Sequence, residues 1–116
     1  MASSDKVTSP AARGDKGDGY LGQDVVSCQF SLYPLRQQDV GPAVRGGIAA
    51  ARAEGCAVRV GNLSTLLSGS EEQAFAGARA AFRAAQAHGS AVMTATFVAG
   101  MPSDELVAEI QDGLDG

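Results

Sequence analysis

Tryptophan is absent from this chain, histidine occurs once and cysteine twice, and basic residues number nine against thirteen acidic ones. Each scarcity excludes something. A lone imidazole, His88, rules out paired-histidine metal sites, and its place at a helix end fits no Ser-His-Asp arrangement. Two cysteines, Cys28 and Cys56, are too few for a secreted disulfide framework, and their spacing matches no zinc motif. A net charge of −4 lacks the electrostatic footprint of nucleic-acid binding. No apolar run approaches the length of a membrane span. Met1 to Tyr20 carries Ser, Gly, Asp and Lys but no apolar core of a signal peptide, so a cytoplasmic location is expected. No phosphate-cradling lysine loop follows a strand, and Gly41, Gly46 and Gly47 lack dinucleotide spacing. Glu71 and Glu72 fall in the first turn of a helix, where carboxylates serve the dipole. Neither catalysis nor a cofactor or metal is expected.

What remains is an ordinary globular composition, 45% apolar and 19% charged, rich in small residues. A chain of 116 residues suits one domain. Residues 1–23 read as a disordered tail, and Arg13-Gly14-Asp15 within it as a chance occurrence of an adhesion tripeptide. A domain is expected over 24–101 and a second tail, with a short helix, over 102–116.

Periodicity gives the elements. From Val26 the chain alternates: Val26, Cys28, Phe30 and Leu32 share one strand face, while Ser27, Gln29, Ser31 and Tyr33 share the other. Pro34 ends the run. Asp39 is the expected cap of a helix carrying Val40, Val44, Ile48 and Ala51, closed by Gly55. Gly46-Gly47 inside it marks either a close helix–sheet approach or drift in a small-residue sequence. Two short strands, 56–60 and 63–68, flank Gly61-Asn62, a two-residue hairpin turn pairing Val60 with Leu63. A loop of four residues would leave the same faces. Ser70 with Gln73 forms a capping box for a helix to about His88, with Phe75, Ala78, Phe82 and Ala85 as its stripe. Residues 90–99 alternate again, Ala91, Met93, Ala95 and Phe97 facing the helices. Ser103 caps a last helix with Leu106, Val107 and Ile110.

The order βαββαβ predicts an α+β, ferredoxin-like fold: an antiparallel sheet in order 4-1-3-2 with two helices on one face. The opposite face mixes hydroxyls, an amide and a phenol with Val and Leu, and holds a single charge, Arg59. So dry a face is expected to meet a ligand, another subunit, or both. Cys28 and Cys56 fall about two strand spacings apart, roughly 9–10 Å, too far for a disulfide.

Three separated segments carry a resemblance: 29–35 (QFSLYPL), 60–69 (VGNLSTLLSG) with Glu71-Glu72-Gln73-Ala74-Phe75, and 92–96 (VMTAT). In this order and spacing the chain resembles the YkoF-like thiamine/hydroxymethylpyrimidine-binding family, over residues 24–101. The resemblance implies the same ferredoxin-like fold and non-enzymatic binding of thiamine or its hydroxymethylpyrimidine moiety, linked to thiamine uptake or salvage. It points to Gln29, Ser31, Tyr33, Ser64, Thr65, Thr94 and Thr96 as ligand-binding residues. Some members of the family carry two such domains in tandem; a single one implies a homo-dimer or homo-tetramer. A pocket between sheet and helices would use Thr65, and one on the open face Ser64. The alternative is an assembly or regulatory domain whose open face only pairs subunits.

Overall fold

The computed structural model describes residues 18–36 and 38–116. The adhesion tripeptide and most of the expected tail lie outside the described residues. The elements are β1 (Val26–Pro34), α1 (Gly41–Ala53), β2 (Ala57–Val60), β3 (Thr65–Gly69), α2 (Glu71–Gln86), β4 (Ala91–Ala99) and α3 (Asp104–Asp115). The strands form one four-stranded sheet in the order β2-β3-β1-β4, which is 4-1-3-2 read from the opposite edge. The chain divides into two compact units, Ser27–Phe97 and a second made of 18–26 with Val98–Gly116.

In the first unit, α1 and α2 pack together through small residues. The buried positions are Ala43, Gly47 and Ala51 on α1, and Ala74, Gly77, Ala78, Ala81 and Ala85 on α2. Gly47 settles the two readings of the glycine pair. A Cβ there would meet Leu32 Cδ1 at 2.6 Å and the Ala81 carbonyl oxygen at 3.1 Å, whereas one at Gly46 would find only His88 Cε1 at 3.8 Å. Close approach explains Gly47 alone. Gly77 likewise sits under Cys56 Sγ and Leu67 Cδ2. Leu32, Leu67 and Phe97 thus mark the helix-covered side of the sheet.

Three expectations need correction. The β2–β3 turn is not the two-residue kind: Val60 pairs with Thr65 and Val58 with Leu67, so Gly61 to Ser64 form a four-residue loop closed by a Gly61 N–H to Ser64 O bond of 2.9 Å. Asp39 is not the N-cap of α1; Val40 holds that place, and the Asp39 carboxylate instead accepts the Gly41 N–H at 3.0 Å. Phe75 leaves the buried stripe of α2, because the Ala/Gly side of that helix turns toward α1. The residue is 53% exposed, and its ring stacks on Phe97, centroids 4.0 Å apart. The capping box at Ser70 and Gln73 is complete. Gly55, at φ +92°, follows α1 as expected. Both cysteines are buried and free.

In the second unit, residues expected in the tail are built in. Tyr20 bridges Pro102, the Leu21 N–H bonds the Met101 carbonyl at 2.9 Å, and Leu21 is buried. Ser103, 1% exposed, accepts the Leu106 N–H at 3.1 Å and starts α3. That helix runs 12 residues, with Val107 and Ile110 exposed.

Candidate functional site

The polar alternation of β1 becomes a ladder of hydrogen bonds to β3 and its loop on the face away from the helices. The hydroxyls of Ser27 and Ser68 share a buried bond of 2.9 Å. Gln29 Nε2 donates to Ser64 Oγ at 2.7 Å, and the Ser31 hydroxyl donates to the Leu63 carbonyl at 3.3 Å. These contacts tie the β2–β3 loop to β1 and fix the Ser64 hydroxyl in place.

Beside the ladder lies a cleft of about 210 Å³, between the end of β1, the first turns of α1 and the β2–β3 loop. Ser31, Tyr33, Ser64 and Thr65 line it, together with Val44 and Ile48 of α1. Thr65 is buried and Tyr33 is 52% exposed. Among the described residues, no Asp, Glu, Lys, Arg or His lines the cleft. Its chemistry is therefore that of hydroxyl donors and acceptors, one phenol, backbone groups and apolar walls.

Four of the seven sequence-derived residues thus meet in one cleft, and Gln29 supports it through Ser64. Thr94 and Thr96 do not join them: both are exposed on β4, across β1 from the cleft. Sequence reasoning missed Val44 and Ile48 as lining residues, because their helical spacing reads equally well as core. It treated Asn62 only as a turn residue, yet the longer loop brings it to the rim. Among the described residues no cluster of His, Cys, Asp or Glu is arranged to hold a metal ion, and no helix is long and apolar enough to cross a membrane.

This architecture recurs in solved structures. A hypothetical protein from Methanocaldococcus jannascii superposes with a TM-score of 0.65 at 15% identity, over 77% of this chain and 97% of that one. A domain of unknown function from Bacillus cereus gives 0.65 at 22% identity, over 78% and 93%. A Thermotoga maritima protein provisionally assigned to thiamine biosynthesis/salvage gives 0.62 at 15%, over 74% and 98%. These likenesses define the class, a small α+β protein with a helix-covered four-stranded sheet. The particular group follows from the sequence: residues 25–104 match the YKOF-related family, and the chain belongs to it. No curated protein matches.

Proposed function

We propose that this chain binds thiamine or its hydroxymethylpyrimidine moiety without chemical change, in thiamine uptake or salvage in the cytoplasm. The observation that carries the reading is the uncharged cleft at the β2–β3 loop, with the hydroxyls of Ser31, Ser64 and Thr65 at its wall. An aminopyrimidine presents ring-nitrogen acceptors and an amino donor, and hydroxyls answer both. The exposed Tyr33 ring supplies a stacking surface. At about 210 Å³ the cleft is smaller than the roughly 300–1,000 Å³ of drug-sized sites. That size suits one ring, and the absence of a lining carboxylate leaves a thiazolium cation better placed outside. Family membership and the Thermotoga relative's assignment support the ligand class.

The sheet order, with α1 and α2 on one side, supports a ferredoxin-like reading of the fold. A homo-dimer or homo-tetramer would supply the second domain that some family members carry in tandem. Exposed Tyr33 and Val92 on the open face favour such pairing.

Thermal melts with thiamine, its phosphates and the free pyrimidine test the ligand. A ligand at a hundredfold excess over its dissociation constant adds about 2.7 kcal/mol, a shift of several degrees for a domain of this size. The Ser64→Ala/Thr65→Ala double variant should fold and lose the shift. No shift at millimolar concentration of any of these compounds would refute the binding reading and leave an assembly domain.

A further inference from the structure

In a chain of net charge −4, helix α1 carries only positive side-chain charge, on Arg45 and Arg52. Seven positions make two helical turns, so both residues stand on one side of the helix, about 10 Å apart along its axis. Arg45, Ile48, Ala49 and Arg52 line an open groove of about 410 Å³. Both arginines are exposed, and among the described residues neither makes an ion pair. Arg45 reaches back over the first turn: a Cβ at Gly41 would lie 2.9 Å from its Nη1 and 3.2 Å from Asp39 Oδ1. That carboxylate is committed to the Gly41 N–H, at 3.0 Å.

The groove continues the cleft. Ile48 lines both. At 3.6 residues per turn, Arg52 and Arg45 project only about 40° and 60° around the helix from Ile48. A ring-sized space without charge therefore opens, across one side chain, onto a cationic one. A neutral ring bearing an anionic substituent complements the two together. A thiazolium cation would instead meet two like charges.

We propose that the ligand of this site is a phosphate monoester of the aminopyrimidine, its ring in the cleft and its phosphate passing Ile48 to lie between Arg45 and Arg52. The inference rests on the cleft being the ring site, as argued above. Guanidinium groups present forked N–H donors that match phosphate oxygens, and charge-assisted bonds of this kind are the stronger ones. Ala49, with no side chain beyond Cβ, leaves the floor between them open. Asp39 opposes the phosphate at the Arg45 end and moderates the affinity.

Isothermal titration of the full chain with hydroxymethylpyrimidine, its phosphate ester, thiamine and inorganic phosphate tests this. The ester should bind on the order of tenfold more tightly than the free pyrimidine, the gain expected of a hydrogen-bonded charge. That ratio should shrink as salt is raised, because the Debye length falls from about 10 Å at 0.1 M to about 3 Å at 1 M. Arg45→Gln and Arg52→Gln should each lower the ratio, and the double variant should bring it near one. Circular dichroism would verify that these surface variants fold. Asp39→Asn keeps an oxygen for the Gly41 N–H and should raise the ratio. Arg79→Gln, which removes an exposed charge from α2, should leave it unchanged. Equal binding of ester and free pyrimidine, thiamine binding more tightly than the ester, or a ratio that survives the double arginine variant would overturn the phosphate site and leave the ring site standing. Binding of none of these compounds would overturn both.

Discussion

At the scale of single residues, the structure assigns opposite costs to two adjacent glycines. Replacing Gly by Ala inside a helix ordinarily stabilises by about 1 kcal/mol. Gly46 has room for a methyl group, so Gly46→Ala should gain up to about that amount. At Gly47 the added carbon would collide with Leu32 and the Ala81 backbone. Overpacking of this kind costs about 1–3 kcal/mol, so Gly47→Ala should destabilise on balance. Urea unfolding of the two variants side by side measures the difference in sign. The thiols give a second residue-level outcome. Burial pushes Cys28 from its ordinary 9.0 up to about 11, opposed by a backbone hydrogen bond at Thr96, and burial raises Cys56 as well. The folded protein therefore holds these protons at pH values where the unfolded chain releases them. Stability should be intact below pH 9 and fall as pH rises toward 11. Cys28→Ala should flatten this alkaline limb in denaturation curves taken across that range, and an unchanged slope would contradict the account.

At the scale of elements, legibility followed the strength of the local signal. The capping box Ser70–Gln73 has chemistry written in two side chains, and the helix begins where they place it. Ser103 does the same for α3. The hairpin was harder to read. Gly61-Asn62 is a good two-residue turn in isolation, but cross-strand packing of Val58 on Leu67 and the bond from Gln29 to Ser64 favour the longer loop. Neither term is visible without the neighbouring strand. The stripe of α2 misled for a related reason. Phe75 looks like a core residue by hydropathy, yet a helix that must approach another closely buries its alanines, and Phe75 is turned aside while Phe82 stays half-buried. The site inherits both effects. Ser31, Tyr33, Ser64 and Thr65 gather because β1 and the loop bring them together, while Thr94 and Thr96 shared only the alternation and not the place.

At the scale of the whole molecule, the βαββαβ order and the helix-covered face follow directly from period and sequence of elements, since handedness and strand length leave few ways to arrange them. The cleft does not follow in that way. Its walls come from β1, α1 and the β2–β3 loop together, and its size depends on how near α1 lies to the sheet. Gly47 sets that approach, so a residue outside the cleft contributes to its width. The ladder of hydroxyls beside it is legible as alternating polarity, but its bonds depend on the register of β1 against β3.

The alanine-lined contact between the helices has a calorimetric consequence. Unfolding raises the heat capacity of a protein in proportion to the apolar surface that water newly wets. Here Phe30, Leu21 and Leu67 are the largest buried side chains among the described residues, and six of the thirteen buried apolar residues are alanine. Each such residue uncovers little hydrocarbon. The heat-capacity increment per residue should fall below the usual value of about 12–15 cal/mol/K, giving a stability curve that is flat across temperature rather than sharply domed. Scanning calorimetry over a series of pH values measures the increment directly, and a value at or above that range would contradict this reading of the core. A flat curve means that cooling would weaken this protein less than one built on leucine and phenylalanine, so that its temperature tolerance is set by the smallness of its side chains.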